Sequence, residues 1–283
     1  MNILYLYIIL IFFFSFIIYY ITIMLIERNF AEIDNIYNDK IIFSLTTIPV
    51  RLQYCIENLN IMIRDEIIPK NATIELNLPE VFNRTNEKYP VPIGLSDRVI
   101  VYRTEDIGPI TKILPTLQRY DNSDKIIICI DDDCYYSKKD IYKMLNLSSI
   151  YNNKYVINGV LPNNILSHIY NKNITNKGDK INLNNSYIHH IQSYFIRGFA
   201  SVLYPTKIVK SYMIKEVLNV MSNECNNSDD LIISIALNNY NIPILHTYVH
   251  HTNNDYHNLE SLKNIQSHKN IYKDCSAEYH NSI

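Results

Sequence analysis

Three consecutive carboxylates, Asp131, Asp132 and Asp133, stand directly behind five apolar residues, 126–130. Aspartates at this spacing suit a hard divalent cation, which prefers oxygen ligands and often bridges phosphates. Side chains of an extended segment alternate, so Asp131 and Asp133 are expected on one side and Asp132 on the other. A second acidic pair, Asp229-Asp230, follows Ser228 at the start of an apolar stretch. Acids are common there because they cap free N–H groups and complement the helix dipole. Held in that place, Asp230 is expected to stay ionised at pH 7 and is a candidate general base. Gly108-Pro109 ahead of Lys112 reads as a helix start, with Lys112 as a point charge for phosphate. His246 and His250 share strand parity and can offer ring nitrogens to one metal. Each feature also has a plainer reading: a solvated acidic turn, an ordinary helix start, a surface or core histidine.

The elements around these residues alternate in type. Residues 126–130 are too few for an ordinary helix and are rich in β-branched side chains. They read as a strand buried on both faces, as in the middle of a parallel sheet. Open α/β sheets bind ligands outside the carboxyl ends of their strands, which is where the three aspartates fall. Residues 41–47, 73–78, 98–102, 155–160 and 244–249 read as further strands. Residues 51–64 and 229–239 have helical spacing, and Ser137 with Asp140 forms a capping pattern that opens a helix to about residue 150. Residues 110–120 read as a short helix that Pro115 bends or breaks. Residues 162–185 are polar and poorly periodic and read as a long loop, and 188–204 as strand-turn-strand around Gly198. The alternation predicts an α/β domain with a mainly parallel sheet flanked by helices.

Composition removes several classes. Net charge is −2 with no basic block, so nucleic acid is not an expected partner. Glycine occurs five times, against roughly 20 expected from average usage of about 7%. No GxGxxG or GxxxxGK[ST] is present, which excludes a dinucleotide fingerprint and a P-loop. The five cysteines have no CxxC spacing, so no zinc ribbon is expected, while Cys225 and Cys275 are free to pair in an oxidising compartment. Residues 3–26 are uncharged and mostly apolar, long enough to cross a bilayer, and lack a basic start and a small-residue cleavage site. The expected organisation is a transmembrane anchor (1–28), a linker (29–39), a catalytic domain (40–252) and a polar tail (253–283). Weak charge bias favours a single-pass protein with its N-terminus cytoplasmic and its domain lumenal or external. Six N-x-[ST] sequons are compatible with that side of the membrane.

Five blocks, taken in order, resemble GT-A-fold glycosyltransferases, the family 2-like membrane-anchored group in particular. They are SLTTIPVR (44–51), DIGPITK (106–112), CIDDDCYY (129–136), RGFASVLY (197–204) and SDDLIIS (228–234). The resemblance implies a GT-A-like, Rossmann-like mixed sheet behind one transmembrane helix. It further implies a nucleotide-sugar donor, a carbohydrate or glycoconjugate acceptor, and Mn²⁺ or Mg²⁺ on the donor diphosphate. Carried over by position, Thr46, Thr47, Arg51, Asp106, Lys112, Asp131 and Asp132 would line the donor pocket. Asp133, with Asp131, would hold the metal, which His250 is a candidate to join by its strand parity, and the glycine turn of Arg197, Gly198 and Phe199 is a candidate to shape the acceptor pocket. Asp230, beside Asp229, would be the base of an inverting transfer. Members often carry glycine where Ser201 stands. A metal-dependent nucleotidyl- or phosphotransferase, or a non-catalytic carbohydrate-binding protein on a transferase fold, stays open as an alternative.

Overall fold

The computed structural model describes residues 3–160, 196, 198, 201–222, 225, 228–247, 249 and 251–253. The chain divides into two units, residues 1–38 and 39–283. The first unit is a helix, α1 (Ile3–Ile36), which runs on past the apolar stretch through most of the expected linker. Among the described residues it is the one helix long and apolar enough to cross a membrane, by length and composition. Its 24 uncharged residues span about 36 Å at 1.5 Å per residue, enough for a hydrocarbon core of roughly 30 Å.

In the second unit, β1 (Ile41–Leu45) leads through a 3-10 turn (Pro49–Arg51) into α2 (Leu52–Arg64). Next come β2 (Thr73–Pro79), a small hairpin of β3 (Val81–Phe82) and β4 (Glu87–Lys88), and β5 (Val99–Thr104). A second 3-10 turn (Gly108–Lys112) precedes α3 (Leu114–Tyr120), β6 (Ile126–Cys129), β7 (Cys134–Tyr136) and α4 (Lys138–Ile150). The described elements end with β8 (Val156–Asn158), β9 (Val202–Pro205), α5 (Ser211–Val220), α6 (Asp229–Asn239), β10 (Ile244–His246) and β11 (His251–Asn253).

Seven strands form one sheet in the order β10-β8-β9-β6-β1-β2-β5. Neighbours run parallel except at β9, which is antiparallel to both β6 and β8. This is the mixed, mainly parallel α/β sheet with flanking helices that the alternation predicts. One detail differs. β6 is not inside a purely parallel sheet, because its second neighbour is the reversed strand β9. Burial on both faces requires helices over both faces, not two parallel neighbours. The four isoleucines of the 126–130 run are at most 1% exposed, each stabilising the fold by about 1.5–3 kcal/mol relative to exposure.

The chain steps outward from β1 to β2 and β5, then returns to the far side of β1 as β6. Right-handed crossovers therefore put α2 and α3 on opposite faces, and the strand order reverses between β1 and β6. On the α3 face, Ile42, Ile127 and Tyr204 pack with Leu117 of α3, Ile214 of α5 and Ile232 of α6. The same face of β2 carries polar residues. Glu75 and Asn77 alternate with apolar side chains and resemble a solvated face, yet both are 0% exposed. The α3 layer explains this. Glu75 is ion-paired to Arg119, accepts from Thr116 Oγ1 at 3.1 Å and from the Tyr120 hydroxyl at 2.7 Å. Asn77 Oδ1 accepts from Arg119 at 2.8 Å, and its Nδ2 donates to Thr116 at 3.0 Å and Ser44 at 3.2 Å. Ser44 Oγ in turn donates to the carbonyl of Lys112 at 2.5 Å.

Two sequence expectations are corrected, and one helix is added. Pro115 does not break a helix over 110–120: the segment is a 3-10 turn followed by α3, with Pro115 in the first helical turn, where no N–H is needed. The strand expected over 244–249 ends at His246, after which Thr247 N–H and Val249 N–H donate singly to Asn158 and Gly159. Helix α5 was not anticipated, because it lacks a side-chain cap of its own. Its first N–H, on Ser211, donates to Asp121 Oδ1 at 2.8 Å, from 90 residues away. The expected loop at 162–185 lies outside the described residues. Cys225 is disulfide-bonded, whereas Cys55, Cys129 and Cys134 are buried and form no disulfide.

The buried network yields a stability prediction. Glu75→Ala strands a guanidinium and two hydroxyls against the sheet, and should cost about 3 kcal/mol in chemical denaturation of the full chain. A loss under 1 kcal/mol would show that the network does not hold α3 on β2.

Candidate active site

The strand order reverses between β1 and β6, and the carboxyl ends of strands at such a reversal are the usual ligand position in sheets of this kind. From the β1 side come Thr46, Thr47 and Arg51. Thr46 Oγ1 donates to the Asn77 carbonyl at 2.7 Å, and the Thr47 carbonyl accepts from the Tyr89 hydroxyl at 2.8 Å. Thr47 Oγ1 donates to Asp132, and Arg51 forks between Asp132 Oδ1 at 3.0 Å and Asp133 Oδ2 at 3.1 Å. Asp132 is thus turned into the protein, 7% exposed, and burial pushes its carboxyl up to about 6 against the pull of Arg51.

From the β6 side the chain turns through Asp132-Asp133 and comes back as β7. Asp131 N–H donates to the Tyr136 hydroxyl at 3.0 Å, and Asn58 Nδ2 donates to the Cys134 carbonyl at 2.8 Å, which closes and braces the turn. The result brings an oxygen of Asp131, an oxygen of Asp133 and the Cys134 Sγ within 4.8 Å of one another. Asp131 and Asp133 converge as expected, but through a turn at Asp132-Asp133 and not by the alternation of an extended segment, and Arg51 reaches Asp132 and Asp133 alike. Cys134 was not among the expected site residues; its one signal is adjacency to the acidic triplet.

The other wall is built around Lys112. Gly108, at φ +71°, turns the chain into the 3-10 segment that carries it. Asp106 shapes this turn, accepting from Gly108 N–H at 3.0 Å and Asn83 N–H at 2.7 Å. Lys112 Nζ then lies 3.2 Å from Asp131 Oδ1 and 2.7 Å from Asp229 Oδ2. Burial alone would lower its pKa, but Asp131, Asp229 and Asp230 together hold it well above the ordinary lysine value, so it is an ammonium ion. Gly198 N–H donates to Asp230 Oδ1 at 2.5 Å. A Cβ at Gly198 would stand 2.7 Å from that oxygen and 3.1 Å from Lys112 Nζ, so a side chain cannot be added without moving the acid.

Asp230 differs from its sequence expectation. At the first turn of α6 it was expected ionised, but burial, reinforced by Asp229, pushes it up to about 7. Desolvation outweighs the helix dipole here. Burial also raises Asp131, against Lys112. Five carboxylates (Asp131, Asp132, Asp133, Asp229, Asp230) thus share two cations, Arg51 and Lys112. A site this rich in acids, with two carboxylate oxygens and a sulfur converging, fits a divalent cation, whose charge would favour their ionised forms.

Other expected residues fall elsewhere. His246 is a core residue: Nδ1 lies 2.7 Å from the Val160 carbonyl, and burial lowers its pKa. His250, Arg197 and Phe199 lie outside the described residues. Ser201 has φ +81°, a conformation natural to the glycine expected there and strained for serine.

No family model and no curated protein matches the sequence. Among solved structures, the chain is similar to the mannosyltransferase PcManGT from Pyrobaculum calidifontis in complex with GDP-Man and Mn²⁺. The TM-score is 0.43 at 8% identity, over 74% of this chain and 55% of that one. It is also similar to S. aureus TarS in complex with UDP-GlcNAc, with TM-score 0.45 and 12% identity over 84% of this chain and 66% of that one. A third is glucosyl-3-phosphoglycerate synthase from Mycobacterium tuberculosis in complex with Mg²⁺ and UDP, with TM-score 0.38 and 8% identity over 89% of this chain and 82% of that one. The chain therefore spans less than two thirds of the first two structures' length, and identities this low carry no function across.

Two predictions follow from strain and burial. Ser201→Gly should raise stability by about 1 kcal/mol, since it relieves a left-handed backbone and removes a buried hydroxyl without a hydrogen-bond partner. A drop in melting temperature would count against strain at this position. The Asp230 carboxyl titrates near 7 folded and near 3.8 unfolded, so its favourable contribution is complete below about 3.8 and is lost as pH rises to about 7. Asp230→Asn should therefore be more stable than the parent at pH 8, with the gap closing towards pH 4 in thermal melts. A gap independent of pH would mean that Asp230 is not forced towards its neutral form.

Proposed function

We propose that this chain is a metal-dependent glycosyltransferase that moves a sugar from a nucleotide-sugar donor to a hydroxyl acceptor. The observation that carries the reading is the one lysine, Lys112, joining Asp131 of the acidic turn to Asp229 beside Asp230. An acidic turn suited to a cation and a carboxylate raised towards neutrality thus meet at one lysine, which supports a displacement at a phosphate-linked carbon.

In this scheme Thr46, Thr47, Arg51, Asp106, Asp131 and Asp132 form the donor side, directly or by shaping it. Asp131 and Asp133 hold Mn²⁺ or Mg²⁺. When bound, the cation offsets negative charge on the leaving nucleoside diphosphate. Lys112 adds a fixed positive charge at the same edge and orients Asp229. Asp230 takes the proton of the acceptor hydroxyl while that oxygen bonds to the anomeric carbon and the carbon–phosphate-oxygen bond breaks, which inverts the centre. A base poised near 7 matches the task, because it is ionised often enough to accept and basic enough to drive transfer. Arg197, Gly198 and Phe199 would border the acceptor, a glycan, glycoprotein or glycolipid. The helix α1 would anchor the protein with its N-terminus cytoplasmic and its domain lumenal or external, where a disulfide such as that of Cys225 persists.

The test uses the detergent-solubilised full chain with a panel of nucleotide sugars, with and without Mn²⁺. A donor that binds the native state raises the melting temperature. Asp133→Asn should lose metal-dependent stabilisation. Asp230→Asn should keep it and lose transfer by about 10²- to 10⁴-fold. Full transfer in either variant removes that residue's role, and release of pyrophosphate instead of nucleoside diphosphate would turn the reading to nucleotidyl transfer.

A further inference from the structure

The turn after β6 holds an unusual donor among its acids. Cys134 is 3% exposed, and a buried cysteine most often behaves as a small apolar residue. Its sulfur has polar neighbours, the side chains of Tyr136 and Asp133. Sγ faces Asp133 Oδ1 at 3.6 Å, while the other oxygen of that carboxylate is held by Arg51 at 3.1 Å. Arg51 therefore fixes the carboxylate with one oxygen turned towards the thiol. Zn²⁺, a transition metal, is bound by oxygen at about 2.1 Å and sulfur at about 2.3 Å, which keeps the two roughly 3.2–3.6 Å apart. Asp131 contributes the third donor, all three lying within 4.8 Å. The backbone bonds of Tyr136 to Asp131 and of Asn58 to Cys134 hold this spacing.

We propose that Cys134 is a ligand of the divalent cation and makes the site prefer Mn²⁺ and softer transition metals over Mg²⁺. The inference rests on the metal-dependent reading of the acidic turn and goes beyond it in naming a sulfur donor. Binding forms a metal–sulfur bond, breaks the S–H bond and releases one proton to solvent for each cation. Mg²⁺ demands near-ideal octahedral oxygen coordination and gains little from sulfur, whereas thiolate favours softer cations. The remaining free cysteines are not placed to do this, since neither Cys55 nor Cys129 belongs to the convergent group.

The experiment titrates the full chain in detergent with Co²⁺, Mn²⁺ and Mg²⁺. Co²⁺ should produce a sulfur-to-metal charge-transfer band in the near ultraviolet, absent from both Cys134→Ser and Cys134→Ala. Free-Mn²⁺ EPR should show Mn²⁺ affinity falling by about tenfold or more in these variants, since even groups behind the ligands are worth that much. Their Mg²⁺ affinity, read by competition, should stay within about twofold, which also reports that they are folded. Mn²⁺ binding by the parent without a sulfur band, or a band that survives both substitutions, would overturn the role of Cys134 and leave the metal-dependent reading intact. Absence of Mn²⁺ binding by the parent would overturn both.

Discussion

The ammonium of Lys112, shared between Asp131 and Asp229, is the interaction on which the arrangement of the crevice depends. Without it, carboxylates from the end of β6 and the start of α6 would face each other with Arg51 as the remaining counter-charge, and like charges in a poorly hydrated site repel strongly. The lysine is itself positioned from below. Ser44 Oγ on β1 holds the Lys112 carbonyl, and Asn77 Nδ2 links that hydroxyl to the Glu75–Arg119 network on β2 and α3. A surface lysine would lose much rotamer freedom on reaching two acids; this one starts from a backbone already fixed.

Much of this was legible in the sequence where the physics is local. The apolar run ahead of Asp131, the helical spacing of α2 and the Ser137 cap of α4, which accepts from Asp140 N–H, depend on near neighbours, and the structure shows them. Features set by distant partners were not legible. Glu75 and Asn77 look like a water-facing stripe until α3 covers them. The start of α5 has no cap in its own sequence, because Asp121 supplies it. The reversal of β9 depends on which strands flank it, which no property of its four residues encodes. The ionisation of Asp230 was misjudged for the same reason: a helix start is visible in sequence, and the depth of its burial is not.

The site is also where the fold gives up stability. Burial forces Asp131, Asp132 and Asp230 towards their neutral forms, and Ser201, three residues after Gly198, adopts a left-handed backbone. A domain optimised for stability alone would place apolar side chains at these positions. Local conflict of this kind, set within a consistently apolar sheet, is the usual mark of a place kept for chemistry.

The wide separation of the site's parts along the chain has a consequence for synthesis. Thr47 meets Asp132 from 85 residues away, Arg51 meets Asp133 from 82, and α6 brings Asp229 and Asp230 to the crevice later still. Closing loops of that length costs entropy that is recovered only when the contacts form together. A nascent chain that has emerged only through β9 has its acidic turn but no partner for Lys112 from α6. The charges of the site are therefore brought into balance only once α6 has been made and docked, late in the chain.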